Sequence, residues 1–204
     1  MPGKLIYVMG PSGAGKDSLI DVARPMLQAA DVIVARRIIT RSAESIGELA
    51  EGLSPAAFAE RARQGGFALH WQANGLSYGI STDLQTHLDA GQHVLVNGSR
   101  AYLATARQRY PGLIPLLVTV DSTVLRERLL KRGRESITEI ERRLERTARL
   151  SAEQGEASER GEETPQAGYN AIETLDNSGS LESSAAQLMT MLQRHGISAT
   201  VGRT

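Results

Sequence analysis

No cysteine occurs among the 204 residues, which excludes disulfide bonds, thiolate metal ligands and thiol nucleophiles. Net charge is also missing, because 23 Lys and Arg balance 23 Asp and Glu. A chain without an overall positive field is not drawn to DNA, RNA or anionic membranes, although a local basic cluster can still serve a small anion. Long apolar runs are lacking. The longest, Leu113 to Val120, falls far short of the roughly 20 residues that a membrane-spanning helix needs. Met1 to Met9 carries one lysine and a short apolar stretch, without the layout of a signal peptide. Together these absences make a cytoplasmic location the expectation. No internal repeat is found.

What is present is a hydrophobic fraction of 41%, enough for one compact core. Strand and helix signals alternate along the chain. Lys4 to Met9 reads as a buried strand, followed by a glycine-rich turn and a helix over 16–29. Val32 to Ile39 is β-branched and reads as one strand, and Thr40 to Leu53, without a clean period, as a loop. Ser54-Pro55 opens a helix that Gly65-Gly66 stops. Phe67 to Ala73 and Leu76 to Ile80 flank Asn74-Gly75, the dipeptide that best favours a tight hairpin.

The alternation then resumes, with helices over 81–90 and 100–110 and strands over 93–96 and 113–120. Two helices split at Gly133, the second opened by the capping-box pattern Ser136-Ile137-Thr138-Glu139. A polar stretch over 154–168 reads as a connection, followed by a strand over 170–175 and a helix over 180–195. Five strands alternating with helices imply an α/β architecture: a five-stranded parallel sheet with helices on both faces. The hairpin and the arginine-bearing helix pair would sit over the strand ends, where such sheets bind ligands.

Residues 10–18 read GPSGAGKDS, which contains the pattern G-x-x-x-x-G-K between a strand and a helix. Glycines there let consecutive backbone N–H groups turn onto phosphate oxygens. The helix N-terminus adds partial positive charge, and Lys16 reaches the outer phosphates. Gly10, Pro11, Ser12, Gly13, Ala14, Gly15, Lys16, Asp17 and Ser18 are therefore the candidate ATP contacts. The residue after the lysine is ordinarily Ser or Thr, whose hydroxyl binds Mg²⁺. Here it is Asp17, with Ser18 following, and the strand over 93–96 ends on Asn97 where an aspartate is usual. A carboxylate is a good hard-cation ligand, so Asp17 and Ser18 are the candidate Mg²⁺ ligands. A plain role for Asp17 as a first-turn acidic residue remains open.

With these landmarks the chain resembles the guanylate kinase family over nearly its whole length. The shared features are GPSGAGKDS, Thr40-Arg41, the hairpin set Phe67, Gly75 and Tyr78-Gly79, then Leu125, Arg132-Gly133 and Arg143-Leu144. The resemblance implies a P-loop kinase fold in a single domain over 1–196. Within it lie an acceptor-binding insert at about 37–92 and a lid at about 133–168; 197–204 would be a loose tail. It also implies that Arg41 and Tyr78 hold the acceptor's phosphate while the lid arginines Arg132 and Arg143 grip the transferring phosphates.

The departures are as informative. Guanylate kinases carry a hairpin glutamate that reads guanine, and Leu69 occupies its place. Ser42-Ala43-Glu44 stands where a further arginine and tyrosine help hold GMP. One branch is closer, the ribose 1,5-bisphosphate phosphokinases of phosphonate catabolism. It is similar in the GKDS ending of the loop, in 71–80 (WQANGLSYGI) and in 132–136 (RGRES). That similarity implies transfer of the ATP γ-phosphoryl group to the 1-phosphate of ribose 1,5-bisphosphate, giving 5-phosphoribosyl 1-diphosphate. A nucleoside monophosphate kinase of altered base preference and a non-catalytic binding module are the rival readings. The intact loop glycines and lysine speak against the second.

No general base stands out. A phosphate acceptor, with a second pKa of about 6, needs none, so alignment and charge neutralisation can suffice. Arginine forks suit that task. Arg132, Arg134, Arg143 and Arg146 could otherwise form a solvated helix face, with Glu139 paired to Arg143. Arg37 and Arg41 flank the end of the second strand, where a ligand would lie. His70 and Trp71 alternate on the hairpin, so one of the two faces the sugar, and His70 is carried as a candidate sugar contact. Asn177, just after the last strand, is a candidate adenine contact or a turn residue. The expected partners are ATP and a sugar phosphate, with assembly as a homodimer left open.

Overall fold

The computed structural model describes residues 2–40, 50–133, 136–142, 144–145 and 169–199. The lid arginines Arg134, Arg143 and Arg146, most of the segment expected as a lid, the side chain of Arg132, and Arg41 lie outside the described residues.

Five strands form a wholly parallel sheet: β1 (Leu5–Met9), β2 (Val32–Val34), β7 (His93–Asn97), β8 (Ile114–Thr119) and β9 (Glu173–Asp176). Their spatial order is β2-β7-β1-β8-β9, with β1 at the centre. Side-chain alternation along β1 builds both faces. Ile6 and Val8 pack with Leu95, Leu116 and Val118 against α1 (Lys16–Ala29) and α7 (Leu181–Arg194). Leu5, Tyr7 and Met9 pack with Val94 and Val96 on the other face, against α3 (Asp83–Asp89) and α4 (Leu103–Arg109). A three-residue 3₁₀ turn, Arg100–Tyr102, leads into α4.

The helices that follow β1 and β7 thus lie on opposite faces. A crevice opens at the carboxyl ends of these two neighbouring strands. The parallel sheet covered on both sides is the one expected from the alternation of elements.

A second, four-stranded sheet lies beside it, in the order β4-β3-β6-β5, built from β3 (Arg37–Ile39), β4 (Ala50–Gly52), β5 (Phe67–Ala73) and β6 (Leu76–Ser81). This corrects two sequence readings. The run 32–39 is two strands: Ala35 still donates to Leu95 O of the main sheet, but Arg37 is already paired with Ile80 of β6. The segment read as loop to Leu53 ends in β4, parallel to β3. Periodicity reports extended backbone and says nothing about which neighbour the backbone pairs with.

The hairpin itself is as read. Asn74 and Gly75 both have positive φ, 51° and 75°, as a primed two-residue turn requires. One face of this sheet carries Leu69, Trp71 and Ile80 into the core over β1 and β7. The opposite face, with Ile38 and Phe67, packs on Phe58 of α2 (Pro55–Arg63), whose N-cap Ser54 accepts from Ala57 N.

α5 (Ser122–Arg132) starts at Asp121, whose carboxylate accepts from Thr123 N and Val124 N. These hydrogen bonds, the Thr123 N–H first, hold that carboxyl below its ordinary pKa. α6, whose described helical residues are 137–142 and 144–145, opens with the expected box. Ser136 N donates to Glu139 Oε2 at 2.8 Å, and Glu139 N donates to Ser136 Oγ at 3.3 Å. Ile140 then packs between Leu125 and Leu129 of α5. At the other end, Ile197 is fully buried in the main core, its N–H donating to Leu192 O. The chain is therefore packed at the position where a loose tail was expected to begin. No helix among the described residues is long and apolar enough to cross a membrane.

Candidate active site

The phosphate-binding loop joins the central strand β1 to α1, and its shape depends on missing side chains. A Cβ on Gly10 would lie 2.3 Å from Val118 O, and one on Gly13 would lie 2.9 Å from both Leu125 and Leu129. The backbone at Gly10, Gly13 and Gly15 has φ of 154°, 95° and 80°, values that L side chains rarely adopt. The loop is therefore packed so closely on β8 and α5 that Gly10 and Gly13 leave no room for side chains. α1 adds the partial positive charge of its N-terminus, and this is a geometry that binds anions. Lys16 opens α1, and its Nζ donates to Gly10 O at 2.8 Å and Pro11 O at 2.9 Å. The ammonium is thus draped over the loop where phosphates would enter.

Asp17 turns toward β7 and β3. Its Oδ1 accepts from Asn97 Nδ2 at 2.8 Å and from Arg37 Nη2 at 2.9 Å. Arg37 also lies 5.9 Å over the ring of Tyr78. Tyr78 stacks on Trp71 at 5.7 Å with 6° between the planes, and Trp71 contacts Tyr102 at 5.8 Å. Two of the acceptor candidates, Arg37 and Tyr78, are therefore brought together beside the donor loop.

His70 is not brought there. It points to the opposite face of the sheet, exposed, with its ring 6.0 Å from Phe67. Of the alternating pair, Trp71 faces the crevice side, so the candidate sugar contact at His70 is corrected. Ser18 is exposed and makes no side-chain hydrogen bond among the described residues. One step along a helix rotates a side chain by about 100°, and Asp17 is the one of the two that is turned toward Asn97 and Arg37.

Asn177, the candidate adenine contact or turn residue, lies against the same loop. It is fully buried, and its Nδ2 donates to Ala14 O at 2.7 Å. Through this bond the residue props the phosphate loop from beneath, while its Oδ1 is buried with no partner among the described residues. Asn177→Ala is expected to cost about 1–3 kcal/mol, because the carbonyl of Ala14 loses its donor. ATP binding should weaken with it. Thermal melts and nucleotide titration check this, and unchanged values in both would show that the prop is dispensable.

Two further residues were missed. Tyr7 is wholly buried; its hydroxyl donates to Ser99 O at 2.9 Å and accepts from Ser99 N at 3.0 Å. Burial pushes its pKa well above the ordinary tyrosine range, so it stays protonated and pins the turn after β7. Arg128 on α5 reaches Gly179 O at 3.5 Å, and its Nη1 is buried with no partner among the described residues. That nitrogen is 3.5 Å from where a Cβ on Gly15 would stand. Its position four residues before Arg132, on the same helix face, was the available signal.

An orphaned acceptor also marks the crevice. Asn97 Oδ1 is buried without a partner among the described residues, beside the Asp17 carboxylate. Both are hard oxygens that suit Mg²⁺, directly or through a bound water. No group of three His, Asp or Glu able to hold a metal occurs among the described residues, so most of the ion's ligands would be phosphate and water oxygens.

No protein-family model matches the chain. Curated relatives do. It is 52% identical over 200 residues to the ribose 1,5-bisphosphate phosphokinase PhnN of Pseudomonas fluorescens (strain SBW25), covering 98% of this chain and 99% of that one. The protein of the same name from Azotobacter vinelandii is 48% identical over 194 residues, covering 95% and 98%. Among solved structures, a guanylate kinase from Anaplasma phagocytophilum superposes with a TM-score of 0.62 at 14% identity, covering 95% of this chain and 86% of that one. A sugar kinase from Janibacter sp. gives 0.52 at 17% identity over the whole of both chains. These two likenesses speak for the fold, which is that of the P-loop kinases. With about half its residues identical over nearly the full length of its relatives, the chain belongs to the ribose 1,5-bisphosphate phosphokinase family.

Proposed function

We propose that this protein transfers the γ-phosphoryl group of ATP to the 1-phosphate of ribose 1,5-bisphosphate, forming 5-phosphoribosyl 1-diphosphate. The observation that carries this reading is the chemistry of the second sheet's crevice face. At the position of a guanine-reading glutamate stands Leu69, 0% exposed and sealed into the core. On the same face Arg37 lies between Tyr78 and Asp17. Among the described residues, position 69 of this wall offers no carboxylate to a base edge, and Arg37 offers a planar cation to an anion.

Donor and acceptor roles then divide by element. The N–H groups of the loop and Lys16 bind the outer phosphates of ATP. Arg37 and Tyr78, with Arg41 beyond the described residues, hold the acceptor. Arg132 and Arg143, which match the family's lid arginines, would grip the transferring phosphates. Asp17, with the buried Asn97 Oδ1 beside it, would hold Mg²⁺, which would supply charge neutralisation on the phosphates. The acceptor oxygen is already anionic at neutral pH, so the chain needs to align it and exclude water rather than remove a proton.

The test is ADP release with ribose 1,5-bisphosphate against GMP and other monophosphates. The bisphosphate should exceed GMP in kcat/KM by about 100-fold, since the polar edge of guanine would lose its water partners beside Leu69 and find no replacement there, a cost of about 1–3 kcal/mol. A GMP rate equal to or above the sugar rate would overturn the acceptor assignment.

A further inference from the structure

Asp17 follows the phosphate-facing lysine, yet its carboxylate is turned to the acceptor side. Three separate elements meet at it: Asp17 from α1, Asn97 from the end of β7 and Arg37 from β3 of the second sheet. Asn97 is 5% exposed, and its amide nitrogen is committed to Asp17 Oδ1 at 2.8 Å. The carboxylate is thereby held in one orientation. Arg37 has 14% of its side chain exposed, against 48% for Asp17. The ion pair is thus the joint between the donor half of the crevice and the acceptor half, with its carboxylate end open to solvent.

A carboxylate at this point creates an electrostatic conflict. Anionic groups of both substrates must gather near it, and each is repelled by Asp17 unless that charge is cancelled. In the empty protein Arg37 cancels it. Among the described residues the same guanidinium is a cation well placed to hold an acceptor phosphate, because it already lies over Tyr78. A phosphate dianion accepts more strongly than a carboxylate and can take two N–H bonds of the fork.

We propose that Arg37 is held in reserve by Asp17 and passes to a phosphate of the acceptor, leaving Asp17 to the cation that accompanies ATP. Arg37 is then a specificity residue for a phosphorylated acceptor, and Asp17 is the positioning residue that makes binding of the two substrates mutually dependent. This rests on the acceptor reading given above. The Asp17 carboxylate is contested by Arg37 and by the cation, and Arg37 by Asp17 and by the acceptor phosphate, so each substrate that draws one group away lowers the cost of engaging the other. Linkage of this kind is reciprocal.

Isothermal titration with ribose 1,5-bisphosphate, with and without Mg²⁺ and a non-hydrolysable ATP analogue, reads the linkage directly. In the wild type the Mg²⁺–analogue should tighten the acceptor's Kd by about tenfold, a typical coupling. In Asp17→Asn the acceptor alone should bind about tenfold more tightly than in the wild type, and the tightening by the nucleotide should vanish. Asp17→Ser should behave alike, which guards against a fold defect peculiar to one variant. Acceptor affinity that is equal or weaker in both variants, or a wild-type affinity indifferent to the nucleotide, would overturn the hand-over while leaving the reaction assignment intact. A wild type that binds no ribose 1,5-bisphosphate under any condition would overturn the acceptor reading itself, and the hand-over with it.

Discussion

Lys16→Ala should lower kcat/KM for ATP by about 10³-fold, the scale on which loss of one charge-stabilising donor is felt in a closed site. The side chain stands at the first position of α1, and its ammonium already reaches the mouth of the phosphate loop, 2.8 Å from Gly10 O. In the reaction it would follow the γ-phosphoryl group, on which charge accumulates during transfer, so both binding and turnover depend on it. Stability should hardly change, because the lysine is half-buried at the crevice and lies outside the hydrophobic clusters. Steady-state ADP release, nucleotide titration and a thermal melt separate the two effects. An unaltered rate would remove the phosphate cradle from the mechanism altogether.

Leu69→Glu should fail as a change of specificity and succeed only in unfolding the protein. The substitution restores the residue type that guanylate kinases use to read guanine. Here, however, position 69 is 0% exposed and packs among Trp71, Ile80, Leu84 and Val96. A carboxylate there has no cationic partner, and an uncompensated buried charge costs about 3–5 kcal/mol. In a domain of this size that lowers Tm by roughly 10–15 °C. Leu69→Met, similar in volume, should cost less than about 1.5 kcal/mol and serves as the control. Differential scanning calorimetry checks the cost, and an assay with GMP checks the specificity. A stable variant that phosphorylates GMP would show that the crevice wall can open to place the carboxylate, contrary to the packing described.

The contrast between Leu69 and Arg37 carries the wider point about this chain. The resemblance to guanylate kinases places Leu69, a core residue, where those enzymes carry a guanine reader, and the group on the same face proposed to hold the acceptor is the cation Arg37. The phosphate-handling parts of the fold are kept, while the part that would distinguish one base from another has been absorbed into the hydrophobic core. A wall that, among the described residues, offers a cation and a buried leucine would suit a sugar bisphosphate, whose recognisable features are its two phosphates. The acceptor position therefore calls for charge where a nucleotide kinase calls for a shaped polar slot.

Much of the fold was legible in the chain because the forces concerned are local. The loop from Gly10 to Ser18 declares itself, since only glycine tolerates the φ values there, and a strand precedes it and a helix follows. Asn74-Gly75 marks the hairpin for the same reason, and Ser136 with Glu139 marks the start of α6 through hydrogen bonds spanning three residues. The alternation of strands and helices was sufficient for a parallel sheet covered on two faces.

What the chain could not announce depends on partners far away in sequence. That 32–39 is two strands follows from Arg37 meeting Ile80, and that choice of neighbour is set by packing of the hairpin over β1 and β7. The face taken by His70 follows from the register of the hairpin against the core. Asn177 looked like a turn residue because the carbonyl it supports, that of Ala14, is 163 residues away. Asp17 read by itself was a metal ligand or a helix-start acid. Only the folded molecule set it between Asn97 and Arg37, 80 and 20 residues distant, and so joined the donor loop to the acceptor wall. Local stereochemistry, which glycine, capping and side-chain periodicity express, was determined by the sequence itself. The pairing of charges across the crevice was decided by tertiary structure, because a Coulomb interaction depends on distance in space and takes no account of distance along the chain.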